Sequence, residues 1–266
     1  MSQSAVALRS TGWIEDAAEE LEEAHAEEII RWALNEFDDG LTVATGFGVE
    51  GMVLVDLAAR VGSNLDVFFL DTGFLFPETY ELRRRIEQRY GIVVRSYQPD
   101  LTPEDQARIH GESLWLKDPD LCCRLRKLDP LERALAGRTA WMTAIRRDQT
   151  AARKSARVVE WDHRWGLIKV NPLAAWTREQ IWRHVYENDV PYNPLHDQGY
   201  PSIGCTHCTR AVRPGEDERS GRWAGTVKTE CGLHAPAVAP LRLVSLSGGL
   251  RQEDQASLTS STLLGD

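Results

Sequence analysis

Long apolar runs are missing from this 266-residue chain. No stretch is apolar over the roughly 20 residues a membrane-spanning helix needs. The start, MSQSAVALRSTGW, has neither the basic region nor the apolar core of a secretory leader. The expectation is a cytoplasmic protein with no membrane segment, in a compartment that keeps thiols reduced. An even set of cysteines is also missing: five do not make a disulfide framework there and read as metal ligands, a nucleophile or both. Internal repeats are absent. No Gly-Lys-Ser/Thr follows a glycine-rich turn, which excludes a Walker A site.

Positive charge is scarce overall, with a net of −9, but its distribution matters more than its sum. Residues 13–39 hold eleven acids against one arginine, about −10, which leaves the remainder near +1. That acidic segment reads as one amphipathic helix with Trp13, Ala17, Leu21, Ala24 and Ile29 near a common face. A nearly neutral remainder with local basic clusters suits a small anionic ligand. A nucleic-acid binder shows a net basic domain, and this chain has none.

What is present is alternation. Strands are predicted at 41–47, 65–70, 91–97, 139–145 and 166–173, with helices at 50–61, 77–90 and 177–189. This pattern predicts a doubly wound, mostly parallel α/β sheet. The expected division is an acidic helical region at 1–39, the α/β domain at 40–234 and a flexible tail at 235–266, rich in Ser, Gly and Gln. Ligands of such sheets bind beyond the carboxyl ends of the strands. Two loops fall there, TGFGVEG (45–51) and DTGFLFPETY (71–80). In the first, backbone N–H groups ahead of a helix are suited to an anion.

The cysteines carry the sharpest signal. LCCRLRK (121–127) puts Cys122 and Cys123 just ahead of Arg124, Arg126 and Lys127, and GCTHCT supplies Cys205 and Cys208. Four thiolates hold zinc or an iron–sulfur cluster, and a CxxC alone also reads as a redox dithiol. Adjacent cysteines converge on one ion only with strain, whereas a cubane offers each a separate iron, so the donor set favours iron–sulfur. Cys231, in KTECGLHAP, stands apart from both pairs. It reads as a nucleophile if cations favour its thiolate, and otherwise as a free surface thiol.

Together CCRLRKLDPL, AWMTAIRRDQT, DTGFLFPETY, YPSIGCTHCTR, ERSGRW and ECGLH resemble the assimilatory sulfonucleotide reductases. Within that family the chain is similar to the iron–sulfur branch that acts on adenylyl sulfate (APS). The resemblance runs from about residue 40 to 235 and keeps the motifs in order. It implies an adenine-nucleotide alpha-hydrolase-like fold and a [4Fe–4S] cluster on Cys122, Cys123, Cys205 and Cys208. It also implies that Cys231 is the catalytic nucleophile, forming an S-sulfocysteine that thioredoxin or a glutaredoxin-like dithiol resolves to sulfite. Substrate contacts are implied at Thr45, Gly46, Gly48, Leu70, Thr72, Arg126, Lys127, Lys154, Arg219, Arg222 and His234. Several positions depart from the family pattern: Thr45 and Phe47 replace serines, Gly51 an aspartate, Ala144 a glycine, and Lys154 stands where an arginine is expected, beside Arg153. Lysine cannot make the bidentate guanidinium contact. Three alternatives stay open: a reductase of the 3′-phosphorylated substrate (PAPS), a thiolation enzyme of the ATP-pyrophosphatase type, and a metal-stabilised binding module without catalysis. The second needs an SGGxDS-like loop, which TGFGVEG is not.

Overall fold

The computed structural model describes residues 11–62, 64–225, 228 and 230–234. The tail expected to be flexible, 235–266, lies outside these residues. Six strands form one sheet: β1 (Leu41–Ala44), β2 (Val67–Leu70), β3 (Val94–Tyr97), β4 (Ala140–Met142), β5 (Val159–Asp162) and β6 (Leu167–Val170). They lie in the order β3-β2-β1-β4-β6-β5. All neighbours run parallel except the β5–β6 pair at one edge, which is antiparallel. The sheet is the mostly parallel α/β sheet that the alternation predicts.

Side chains from successive positions leave opposite faces of a strand, and here they feed two cores. Phe69, Ala140 and Met142 join one cluster while Phe68 and Trp141 join the other. The larger core takes the helix Val49–Val61, whose buried residues include Met52 to Ala58 without a break, with Ile181 and Val185 of the helix Arg178–Glu187. The smaller core takes Leu131, Ala134 and Leu135 from the helix Asp129–Leu135.

Three expectations are corrected. The acidic segment is two helices, Thr11–Glu20 and Ala26–Phe37. The second begins where the His25 backbone N–H donates to Glu28 Oε2 at 2.9 Å, an N-terminal acceptor that starts a new helix. Both halves then bury Ile14, Ala18, Ile29, Ile30 and Ala33 in the larger core, and Trp13 stacks on Trp32 at 5.9 Å. The predicted strands at 41–47, 139–145 and 166–173 overrun β1, β4 and β6 because their last residues leave the sheet as loops, whereas β2 and β3 end where predicted but begin two and three residues later. Strand β5 is unpredicted. It pairs back on β6 through a turn closed by the Gly166 N–H on Asp162 O at 2.8 Å.

Chain order places the ligand crevice. Strand β1 is flanked by β2 on one side and β4 on the other, so the connections leaving β1 and β4 part at this point. Open α/β sheets bind ligands at such a switch.

Candidate active site

A cavity of about 270 Å³ opens beyond the carboxyl ends of β1, β2 and β4. Its floor includes Thr45 to Gly48, Gly51, Leu70, Thr72 and Thr143 to Arg146. The loop after β1 is held by its own atoms: the Phe47 N–H donates to Thr45 Oγ1 at 3.2 Å, and Phe47, at φ 57°, packs edge-on to Phe69 with ring centroids 5.1 Å apart. A Cβ on Gly51 would stand 2.7 Å from Thr45 Oγ1, so no side chain fits at 51 while that hydroxyl caps the loop. The departures at 45, 47 and 51 are thus one packing solution.

The opposite wall is cationic. Lys127, Arg153, Arg219 and Arg222 line it together with Cys231 and His234. Arg222 Nη1 donates to Ser202 Oγ and Ile203 O, each at 3.2 Å, and its guanidinium lies 4.6 Å from the centroid of Trp223. To get there it crosses Gly204, where a Cβ would overlap its Nη2. Gly204, just before Cys205, is therefore required by close approach.

A second, smaller pocket holds the other four cysteines. Cys122, Cys123, Cys205 and Cys208 line it with Phe74, Trp115, Pro119, Arg126, Lys127 and His207. The first pair comes from the short helix Pro119–Cys123, started by Asp118 Oδ1 accepting from the Leu121 N–H at 2.9 Å. A π-helical turn, Arg124–Leu128, follows directly. Such widened turns recur at functional sites, and this one carries Arg126 and Lys127. The second pair sits on a turn that the Thr206 N–H ties to Phe74 O at 2.8 Å. His207 stacks on Trp115 at 3.9 Å. None of the five cysteines is in a disulfide. Among the described residues, no group of three or more His, Cys, Asp or Glu side chains is disposed to hold a metal ion.

Lys127 and Cys205 line both pockets. Lys127 is 8% exposed. Burial works against its ammonium charge, but the sulfurs of Cys205, Cys231 and Cys123 outweigh it and hold its proton firmly. The cysteines split by environment. Burial pushes the Cys122 thiol up to about 12 and Cys208 up to about 11, reinforced in each case by neighbouring sulfurs. Burial also raises Cys123, against the pull of Lys127 and Lys228. At Cys231 burial is again the largest influence and opposes ionisation. Lys127, the Leu233 backbone N–H and Arg222 nevertheless overcome it and hold this thiol below its ordinary value. A depressed thiol in a cationic cavity is what nucleophilic attack needs.

The Cys231 segment is anchored on both sides. Glu230 Oε2 accepts from Arg153 Nη2 at 3.1 Å and Arg219 Nη2 at 3.2 Å. Arg164 Nη1 donates to Gly232 O at 2.8 Å. Leu233 packs against the smaller core, and the His234 ring stacks on Trp141 at 5.6 Å. Burial, with Lys169, Arg153 and Arg219 nearby, keeps His234 neutral by lowering its pKa well below the usual imidazole range.

Of the residues singled out in the sequence, the cavity gathers Thr45, Gly46, Gly48, Leu70, Thr72, Lys127, Arg219, Arg222, Cys231 and His234. Arg126 and Lys154 lie elsewhere. Arg126 is fully enclosed beside the four cysteines. Its hydrogen bonds run to Gln106 Oε1 and to the carbonyls of Thr72, Leu101 and Thr102, so it braces the cysteine pocket rather than the larger cavity. Lys154 is exposed. The short turn Ala151–Arg153 turns Arg153 inward, where Gln149 Oε1 accepts from its Nη1 at 2.5 Å. The inward cation is therefore the arginine, one residue earlier than the family resemblance placed it. Arg164, Trp141 and Trp223 escaped sequence reading. Trp223 ends ERSGRW, a motif read only for its cations.

Comparison with known proteins agrees with this geometry. Residues 40–211 match the family described as the phosphoadenosine phosphosulfate reductase domain. The adenosine 5'-phosphosulfate reductase of Halalkalibacterium halodurans is 49% identical over 222 residues, covering 83% of this chain and 96% of that protein. The enzyme of the same name from Shouchella clausii is 51% identical over 210 residues, 79% of this chain and 87% of that one. Among solved structures, the phosphoadenylyl-sulfate reductase of Candida auris, a phosphate complex, superposes with a TM-score of 0.68 at 35% identity. It covers 76% of this chain and 98% of that one. Candida glabrata FMN adenylyltransferase with FAD and pyrophosphate shares the fold alone, with a TM-score of 0.52 at 14% identity over 78% of this chain and 71% of that one.

Proposed function

The chain belongs to the phosphoadenosine phosphosulfate reductase domain family, and from that premise we propose that it reduces adenylyl sulfate to sulfite and AMP in sulfate assimilation. The observation that carries the reading is Cys231, a thiol held below its ordinary pKa by Lys127 and Arg222 at the cationic end of a nucleotide-sized cavity. Relatives about 49% identical bear the name of that activity.

The chemistry follows from charge. The phosphosulfate is anionic and repels a thiolate, so Lys127, Arg153, Arg219 and Arg222 screen the approach. Cys231 Sγ forms a bond to the sulfonyl sulfur as the bond from that sulfur to the bridging oxygen breaks. The electron pair departs on the phosphate of AMP, and S-sulfocysteine remains. A thiolate of thioredoxin, or of a glutaredoxin-like dithiol, then attacks Cys231 Sγ and expels sulfite with its electron pair. The partner's second thiol resolves the mixed disulfide, so the dithiol supplies both electrons and Cys231 returns as thiolate. Neutral His234, stacked on Trp141, adds a wall that does not compete for the cations.

Cys122, Cys123, Cys205 and Cys208 are the residues that would hold a [4Fe–4S] cluster. Three observations support the fit: the four border one pocket, two of them are adjacent and suit separate irons, and the thiols of Cys122 and Cys208 are raised by burial and by neighbouring sulfurs, which metal charge would relieve. Such a cluster would join the CC and CxxC segments beside Lys127 and supply local electrostatics. No helix of the described residues is long and apolar enough to cross a membrane, and a cytoplasmic location completes the reading.

Mass spectrometry after mixing with APS and no dithiol tests the reaction. A sulfonate on Cys231, discharged by thioredoxin, is expected; an unmodified Cys231 overturns it. Anaerobically purified protein should be brown, with about four irons and four sulfides per chain. Stoichiometric zinc in colourless, active enzyme would refute the cluster. Competition between APS and PAPS should favour APS in kcat/KM.

A further inference from the structure

Four anchors hold the Cys231 segment over the cavity, and one differs in kind. Arg164 grips the Gly232 carbonyl from outside the cavity, while Leu233 and His234 are held by packing. Glu230 is instead held by cations that themselves line the substrate cavity. One of its oxygens, Oε2, is shared between Arg153 Nη2 and Arg219 Nη2 at 3.1 and 3.2 Å, and the other, Oε1, accepts from Thr150 Oγ1 at 3.3 Å. The pair of guanidiniums is mostly enclosed, with side-chain exposures of 11% for Arg153 and 19% for Arg219. Charge-assisted bonds of this sort are roughly twice as strong as neutral ones. A second anion entering beside Arg153 and Arg219 must share their positive charge with the Glu230 carboxylate, against the repulsion of that carboxylate, or displace it.

We propose that Glu230 is a positioning residue that acts as an internal counter-anion. Its carboxylate occupies the Arg153–Arg219 pair while the cavity is empty, seating Cys231, and it cedes that pair to the phosphate of the nucleotide. The thiol is thereby kept at the cationic wall before substrate arrives, and binding is weakened by the exchange of one anion for another. The inference rests on the reading of the cavity as a 5′-phosphonucleotide site.

Equilibrium binding of AMP to the full chain, followed by calorimetry at low ionic strength, tests it without turnover. Glu230→Gln keeps the shape and removes the competing charge, so it should bind AMP about 2–5-fold more tightly, the size expected for a partly exposed ion pair. Glu230→Asp, which keeps the charge, should stay nearer to wild type. In an Arg153→Gln background the gain from Glu230→Gln should shrink, because the contested guanidinium is gone. KM for APS should fall in Glu230→Gln by more than the single-turnover rate of adduct formation changes, although loss of the carboxylate also removes its opposition to the Cys231 thiolate. Unchanged or weaker AMP binding by a folded Glu230→Gln protein overturns the proposal and leaves the reductase reading intact. If no form of the protein binds AMP, the reading of the cavity falls and the proposal with it.

Discussion

Cys123 and Cys231 stand in different pockets that share Lys127 as a wall, and the same ammonium group favours the thiolate at both. Burial is the largest influence on each thiol. At Cys123 it prevails, and the thiol is raised even with Lys127 and Lys228 nearby. At Cys231 the balance reverses, because Arg222 and the Leu233 N–H add to Lys127. The difference teaches that two cations do not by themselves make a nucleophile, since Cys123 has both Lys127 and Lys228 beside it. A buried thiol becomes reactive when several donors converge on it, and the same thiol enclosed with other sulfurs stays protonated until a metal takes the proton's place.

The most severe way to break this comparison is to remove the nucleophile. Cys231→Ser should abolish sulfite release, because a hydroxyl is a far weaker nucleophile than a thiolate. The same protein should keep the absorption spectrum of the proposed cluster, since Cys231 lies outside the pocket that would hold it. Adduct accumulating on Cys231→Ser would show that the attacking sulfur lies elsewhere. Serine at Cys122, Cys123, Cys205 or Cys208 should do the converse, with iron content and colour lost together.

Lys127→Ala strikes the shared wall. Adduct formation in a single turnover should fall by about 10²-fold, the scale of losing one electrostatic contact to developing charge. The sign at Cys231 is fixed by its depressed pKa: the thiolate predominates from a lower pH than in an ordinary cysteine, and loss of the cation moves that onset upward. Alkylation of Cys231 by iodoacetamide, mapped by mass spectrometry across pH, should therefore begin at higher pH in Lys127→Ala. An unshifted profile would assign the depression to Arg222 and Leu233.

A milder contrast sets neighbouring cations against each other. Arg153→Gln should raise KM for APS by about 10-fold, the loss of one charge-assisted contact. Lys154→Gln should leave it within about twofold, as surface substitutions do. Equal effects would mean that the turn at 151–153 presents both side chains to substrate.

That last pair shows where legibility ended. The adjacent cysteines, the CxxC and ECGLH stand out in the sequence because residue type and short spacing are visible along the chain, and their roles came from the family resemblance. RRDQTAARKS did not disclose which of its cations faces inward, since one residue of difference in a single short turn reverses the answer. Arg126 posed the same problem in LCCRLRK: a π-helical turn sends it to the carbonyls of Thr72, Leu101 and Thr102 and leaves Lys127 at the shared wall. The parallel strands were legible as apolar runs such as VFFL. Their ends were not, because the loops after β1 and β4 continue with apolar residues that pack into the site.

By itself, the sequence determined the thiol inventory, the alternation that builds a parallel sheet and the concentration of acid in residues 13–39. Each of these depends on composition or on a period within one segment. The tertiary structure alone decided which charges meet. Glu230 reaches Thr150, Arg153 and Arg219 across separations of 80, 77 and 11 residues, and the cysteine pairs share a pocket only because the turns at 124–128 and 206–208 close on the same wall. Electrostatic energy varies with distance in space and with local burial, and neither quantity is written along the chain.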